Sequence, residues 1–307
     1  MKRLGALLLA RKFTGASAGE SGLARADLPW LAGTVFFGGI LGPLLLLFGL
    51  NLTDAASASL LLNLEGVFTA LLAWFVFREN VDRRIALGMG LIVLAGVLLS
   101  WGERSGAYGL SFGAMAIAAA CLGWGIDNNL TRKVSSADPV QIAGIKGLVA
   151  GTVNLGIATT LGWTPPPVSM LLAGAVVGLL GYGISLTLFV RALRDLGTAR
   201  TGAYFSTAPF IGAGLSMILL QETPGVMFWT AAALMAAGVW LHLTEHHEHL
   251  HVHEALRHRH AHVHDAHHQH EHDFAWDGRE PHTHFHQHRP LTHSHPHYPD
   301  IHHRHRH

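Results

Sequence analysis

The sequence has little of what a disulfide-bonded, nucleic-acid-binding or ordinary soluble protein contains. Cys121 is the single cysteine among 307 residues, which excludes a disulfide framework and a thiolate metal site. Only 13% of the residues are charged, against about 25% in typical soluble domains. The formal net charge of +1 offers no basic surface for nucleic acid. These shortages favour a chain that spends much of its length out of water.

Sequence motifs of common enzymes are also missing. No Gly-x-x-x-x-Gly-Lys-Ser/Thr phosphate loop is present, which argues against ATP-driven pumping by this chain. There is no His-Glu-x-x-His metalloprotease pattern and no nucleophile elbow. The sequence therefore predicts neither an enzyme nor a required cofactor.

Histidine is missing from residues 1–241 and abundant after them. All 25 histidines lie between His242 and His307, and half of the whole chain is hydrophobic. The sequence therefore divides into an apolar body and a polar tail that is dense in imidazole.

Eight apolar stretches of the body are long enough to cross a bilayer core about 30 Å thick. They cover residues 28–50, 55–77, 85–101, 109–129, 140–161, 168–190, 202–220 and 225–243. The third and the seventh are short for a membrane-spanning helix. We predict an all-α integral membrane protein with about eight transmembrane helices.

Lysine and arginine are distributed unequally between the loops. With the N-terminus inside, Arg104 is the only basic residue of the opposite loops 51–54, 102–108, 162–167 and 221–224. The positive-inside rule then predicts a multi-pass protein of the plasma (inner) membrane with both termini in the cytoplasm.

An internal repeat relates the two halves of the body. The stretch that begins at Phe48 recurs from Arg191, and the offset of 143 residues aligns Glu79 with Glu222. The two copies enter their repeated helix from opposite sides of the membrane. Inverted repeats of this kind are an architecture of secondary transporters, whose substrate site lies near the midplane between the halves.

The repeated unit resembles the EamA-type half of the drug/metabolite transporter superfamily. The resemblance rests on Ala55–Asn80 with Ile85–Trp101 in one copy and Thr198–Glu222 with Gly225–Leu243 in the other. Gly123–Asn129 is similar to the first helix of such a half. The family pattern implies ten helices, five in each half.

The chain departs from that pattern because its first half contains three helices and its second half five. Either the chain is a truncated form, or its assigned start omits two helices. We predict an N-terminal cytoplasmic segment (1–27), a partial first repeat (28–101), a complete second repeat (109–243) and a cytoplasmic tail (244–307).

Ionisable residues inside a membrane are costly and usually face the bundle interior. Glu65, near the middle of its stretch, could exchange a proton or receive a cation. Lys146 lies where the resembled family often has a basic residue, but it could instead snorkel to the cytoplasmic edge. We predict the substrate pathway from the polar residues of the apolar stretches: Glu65, Asn63, Asp127, Asn128, Asn129, Lys146, Tyr204 and Ser206.

Structural roles remain open for several of these residues. Asp127 to Asn129 could form a polar cluster at the headgroups near a helix end. Tyr204 and Ser206 could bond backbone groups that Pro209 frees from the helix.

The tail contains an approximate duplication, in which His249-Leu-His-Val-His253 is echoed by His260-Ala-His-Val-His264. Imidazole suits zinc, nickel and copper, the lack of cysteine argues against a preference for Cu(I), and histidine-rich tracts are typical of metal binding. Prolines and polar residues leave little to bury, so we expect the tail to be disordered. The predicted metal ligands are His249, His251, His253, His260, His262, His264, His267, His268, His270 and His272. A pH-responsive tail, an expression tag or low-complexity drift remain alternatives.

The leading functional hypothesis is a secondary transporter, an exporter of a small solute or of a divalent metal ion, whose tail binds zinc, nickel or cobalt. The alternative is a membrane-anchored protein that buffers or senses metal without transport. The expected partners are the lipid bilayer, the solute or metal ion and a second copy of the chain, with no nucleic acid.

Overall fold

The computed structural model describes residues 23, 27–77, 83–104, 107–135, 137–195, 198–244, 248–253, 257–262, 282–287 and 291–296. Helices follow one another through the body. They are α1 (Leu28–Thr34), α2 (Gly42–Leu50), α3 (Ala55–Leu61), α4 (Leu64–Phe77), α5 (Arg83–Ser100), α6 (Phe112–Val134), α7 (Pro139–Thr160), α8 (Val168–Gly178), α9 (Ser185–Asp195), α10 (Thr198–Phe205), α11 (Ala208–Leu219) and α12 (Val226–Leu243). Two π-helical segments, Val35–Leu41 and Leu179–Ile184, join α1 to α2 and α8 to α9.

Every one of the eight predicted stretches is helical, which confirms the all-α, multi-pass architecture. Six helices in the described ranges are long and apolar enough to cross a membrane by length and composition. They are Leu28–Leu50, Ala55–Val76, Arg83–Ser100, Pro139–Thr160, Val168–Leu193 and Val226–Leu243. The fourth predicted stretch lies largely in the 23-residue α6, which ends in polar residues, and the seventh is divided between α10 and the 12-residue α11.

Helix breaks occur at matching points of the two repeats. The first separates Leu61 from Leu64, and the second separates Phe205 from Ala208. In the second break Pro209 is responsible, because proline has no N–H to donate and its ring clashes with the preceding turn. Interrupted helices at corresponding positions of two repeats are a pointer to the substrate site of a transporter.

The π-helical segments are also related by the repeat. The offset of 143 residues carries Val35–Leu41 onto residues 178–184, which includes the whole of Leu179–Ile184. A π-helical turn leaves carbonyl groups without their usual helical partners and is frequent at functional sites. The tertiary structure therefore keeps the repeat that the sequence shows only weakly.

Glycines let two membrane helices approach closely where α5 crosses α12. A Cβ added to Gly238 would lie 2.6 Å from the carbonyl oxygen of Gly88, and one added to Gly88 would lie 2.8 Å from that of Gly238. Neither distance leaves room for a side chain. Small residues at such crossings permit the backbone packing that holds helices together in lipid.

The exterior of the body is apolar, as lipid contact requires. Helix Val168–Leu193 is the extreme case, because only 6% of its most apolar 18-residue stretch is buried inside the protein. Val168 and Val177 on it are 70% and 69% exposed. Apolar side chains can face lipid at no cost, so exposure here indicates a membrane-facing helix.

Short strands interrupt the helical pattern at two places. A hairpin pairs β1 (Trp101–Arg104) with β2 (Ala107–Leu110) between α5 and α6. The tail contains β3 (Glu248–His253), β4 (Arg257–His262), β5 (His282–Gln287) and β6 (Leu291–Pro296), with β3 antiparallel to β6 and β4 antiparallel to β5.

The His-x-His alternation of the tail, whose period of two matches a strand, suits these four segments. The remaining tail residues lie outside the described part of the chain, and the predicted domain boundaries stay predictions.

Candidate functional site

A polar cluster forms where the first half of the body meets α6 of the second half. Glu65 is in the first turn of α4, directly after the helix break, and Thr69 follows four residues later on the same face. The side-chain amide of Asn128 on α6 donates to Glu65 Oε1 at 2.8 Å and to Thr69 Oγ1 at 3.2 Å. The cluster thus joins the broken helix of one repeat to the first helix of the next.

Asn129 ties the same two helices together through their backbones. Its Nδ2 donates to the carbonyl oxygen of Thr69 at 3.1 Å and to that of Gly125 at 2.9 Å. Its Oδ1 is buried and has no hydrogen-bond partner within the described residues. The two hydrogen bonds of Nδ2 therefore fix the Asn129 side chain between α4 and α6.

A buried ion pair lies beside the cluster. Lys146 Nζ on α7 contacts both carboxylate oxygens of Asp127 on α6, at 2.6 and 2.9 Å, and lies 3.3 Å from Thr131 Oγ1. Thr131 Oγ1 in turn donates to Asp127 Oδ1 at 2.9 Å. Lys146 and Asp127 are only 4% and 7% exposed. Both residues point into the bundle, so neither the snorkelling lysine nor the headgroup cluster is formed.

The first π-helical segment makes room for the ion pair. A Cβ added to Gly38 would overlap the Asp127 carboxylate. The carbonyl oxygen of Gly38 accepts a hydrogen bond of 3.0 Å from Trp124 Nε1, and that of Gly39 accepts one of 2.9 Å from Asn154 Nδ2. The π-helical carbonyls are therefore satisfied by side chains of α6 and α7, which fixes these helices around Asp127.

The charges of the cluster do not balance. Asp127 and Lys146 neutralise each other, and both are close enough to act electrostatically on Glu65. Glu65 Oε2 has no hydrogen bond from any described residue. An ionised Glu65 therefore leaves one negative charge with an oxygen free for a ligand.

Three of the predicted pathway residues lie apart from the cluster. Asn63 is buried at the helix break, where its Nδ2 lies 3.2 Å from the Leu60 carbonyl oxygen and 3.9 Å from Met235 Sδ. Tyr204 is 60% exposed and has no hydrogen bond to the cluster in the described ranges. Ser206 donates to the Gly202 carbonyl oxygen at 2.9 Å, which also accepts the backbone N–H of Ser206 and is therefore not a group that Pro209 frees.

Residue spacing could have identified two members that the sequence analysis missed. Thr69 is four residues after Glu65, and Thr131 is four after Asp127, so each shares a helix face with its carboxylate. Nothing local to Gly38 indicates its part, because its contact with Asp127 exists only once α6 has packed on the π-helical segment.

A second contact between the halves lies on the side of the loop 51–54. Both carboxylate oxygens of Glu222 accept backbone N–H groups at the start of α3, from Ala55 at 2.9 Å and from Ala56 at 2.8 Å. A carboxylate at a helix N-terminus satisfies free amides and the helix dipole. Nearby, Ser59 Oγ donates to the Pro209 carbonyl oxygen at 2.8 Å. We refer to the Glu222 contact with Ala55 and Ala56 as the carboxylate latch.

The predicted metal ligands are divided between described and undescribed parts of the tail. His249, His251 and His253 lie on β3, and His260 and His262 lie on β4. The others, His264, His267, His268, His270 and His272, lie outside the described residues. Among the residues that could be searched, no group of three or more His, Cys, Asp or Glu side chains is arranged to hold a metal ion.

Repeated broken helices, paired π-helical segments and a buried polar cluster between the halves are features of a multi-pass membrane carrier. A model of the EamA-like transporter family matches residues 4–101 and 111–244. The chain therefore belongs to the EamA-like transporter family.

Individual relatives agree with this assignment. An uncharacterized transporter of Methanothermobacter thermautotrophicus is 34% identical over 227 residues, which cover 72% of this chain and 66% of that protein. A probable amino-acid metabolite efflux pump of Salmonella typhimurium is 24% identical over 212 residues, 62% of this chain and 67% of the other. The matches thus span about two thirds of each relative's length.

A solved structure shares the fold. It is described only as the crystal structure of a protein, and it superposes with a TM-score of 0.55 at 19% identity. The match covers 77% of this chain and 82% of the other. At this identity the likeness supports the architecture and carries no information about the solute.

Proposed function

We propose that the protein is a secondary exporter of small solutes, and not an enzyme, in the plasma membrane with both termini in the cytoplasm. The observation that carries the proposal is the hydrogen bond between Glu65, which follows the helix break of the first repeat, and Asn128 on α6 of the second repeat. Exporter function is further supported by the Salmonella typhimurium relative, which is described as a probable amino-acid metabolite efflux pump.

Solute export by a Glu65→Gln variant tests the proposal. We expect inside-out membrane vesicles that carry the full chain to accumulate solute when a proton gradient is imposed. Vesicles with the Glu65→Gln variant are expected to accumulate solute at a rate at least about tenfold lower. We expect a tenfold effect because the substitution removes a charged group, and a hydrogen bond to a charged group is worth about 1.5–3 kcal/mol. Glu248→Gln, the same change on strand β3 of the tail, serves as the matched control. Equal flux in the Glu65→Gln and Glu248→Gln variants would contradict a role for Glu65.

We further propose that the tail binds zinc, nickel or cobalt at the cytoplasmic surface. The strand register supports this, because it places histidine directly opposite histidine. The opposed pairs are His249 with His295, His251 with His293, His258 with His286, His260 with His284 and His262 with His282. Opposed positions of an antiparallel ladder have Cα atoms about 4.5–5.5 Å apart, within the span of two imidazoles that share one ion.

Metal counting on the purified chain tests the tail. Deletion of residues 246–307 is expected to remove most bound zinc, nickel or cobalt after dialysis against each ion. Metal retained by the shortened chain would place the site among the helices. If the full chain binds metal but moves no solute, the protein is a membrane-anchored metal buffer and the exporter proposal fails. A homodimer stays a prediction, which the mass of the detergent-solubilised particle tests.

A further inference from the structure

We infer that the cluster at Glu65 binds the ammonium group of cationic amines and does not need a carboxylate on the solute. The inference rests on the proposed function and specifies the chemistry of its solute. Its grounds are the hydrogen-bond inventory, the charge balance and the groups that surround Glu65.

Lys146 cannot serve a solute carboxylate in this structure. Its ammonium group has three protons, and its three contacts are Asp127 Oδ1 at 2.6 Å, Asp127 Oδ2 at 2.9 Å and Thr131 Oγ1 at 3.3 Å. It is also 4% exposed, so a solute could reach it only by opening the ion pair. Breaking a buried pair from one side leaves an uncompensated buried charge.

Glu65, in contrast, keeps an oxygen available. Asn128 Nδ2 occupies Oε1, and no described residue donates to Oε2. Because Nδ2 of Asn128 is used by Glu65 and Thr69, its Oδ1 is left as a further acceptor. An ammonium group has three donors and no acceptor, so the ionised form of Glu65, which adds a negative charge to these two acceptor oxygens, matches it. A carboxylate there would meet acceptors and a like charge.

Three ligands with one ring and one chain length distinguish the chemistries. They are 2-phenylethylamine (a cation), phenylalanine (a zwitterion) and 3-phenylpropionate (an anion). We would measure equilibrium binding of radiolabelled 2-phenylethylamine to the full chain in detergent, with the other two as competitors. We expect 2-phenylethylamine to bind, phenylalanine to compete no more strongly than unlabelled amine, and 3-phenylpropionate to compete at least about tenfold more weakly, by the charge argument.

Variants then assign the binding to the cluster. Glu65→Gln is expected to weaken amine binding at least about tenfold, while Glu248→Gln leaves it unchanged. Thermal unfolding of each variant excludes a loss caused by misfolding.

The ammonium assignment and the exporter proposal can each fail without the other. Equal competition by 3-phenylpropionate and the amine, or tighter binding of phenylalanine than of the amine, would overturn the ammonium assignment. So would unchanged amine binding in Glu65→Gln. Amine binding at Glu65 without amine flux in vesicles would keep the binding assignment and refute export of amines. Glu65-dependent export of a solute that lacks an amine would support the exporter proposal and refute the ammonium assignment.

Discussion

Removing one member of the buried ion pair should destabilise the protein more than removing both. In Lys146→Met, the Asp127 carboxylate stays 7% exposed and keeps only the hydrogen bond from Thr131. Breaking a buried pair from one side costs about 3–5 kcal/mol. For a body of this size that corresponds to a fall in apparent Tm on the order of 10 °C.

The double variant Lys146→Met with Asp127→Asn is the informative comparison. It removes both charges and keeps the shape of the Asp127 side chain beside Gly38. Replacement of a whole buried pair by neutral groups is often close to neutral in stability. We therefore expect the double variant to recover more than half of the Tm lost by Lys146→Met.

The assay is thermal unfolding of the full chain in one detergent, followed by tryptophan fluorescence. Thr152→Ala on the same helix is the control, because Thr152 is exposed and bonds only the Leu148 carbonyl oxygen. It should change stability by about 0.5 kcal/mol or less. A Lys146→Met variant as stable as Thr152→Ala, or a double variant no more stable than Lys146→Met, would show that the pair is not formed as described.

Two further predictions concern packing and the carboxylate latch. Gly38→Ala should lower the free energy of unfolding by about 3 kcal/mol, because a methyl group there meets the ion pair. Gly90→Ala, with nothing within 4 Å of the added methyl group, should not destabilise the protein. Thermal unfolding of the two variants tests the difference. Glu222→Gln should weaken the latch and expose the nearby α3, so a Ser59→Cys reporter should react roughly tenfold faster with a membrane-impermeant maleimide. Unchanged labelling would mean that the latch does not hold that side closed.

The sequence predicted the membrane helices well because hydrophobicity and loop charge are local properties. It also indicated the repeat. Length and composition alone could not show how α6, which is helical but carries polar residues, buries them against its neighbours, or where the seventh stretch is divided at Pro209.

The sequence also indicated Glu65, Asp127, Asn128, Asn129 and Lys146 as candidates, since polar residues in apolar stretches stand out. It could not place them in one cluster or decide between a snorkelling and an inward-facing Lys146. In the tail it could not show which segments pair, because the paired residues lie 20 to 48 positions apart.

What the sequence by itself determined is the class of protein: an apolar, repeated, multi-pass body with a histidine-dense tail. What only the tertiary structure decided is which polar groups are satisfied and which are left for a ligand. Lys146 is 19 residues from Asp127, which packs against Gly38, and Asn128 is 63 from Glu65, on helices that approach closely at Gly125. Hydrogen bonds act over about 3 Å, so their partners are settled only when the helices have packed.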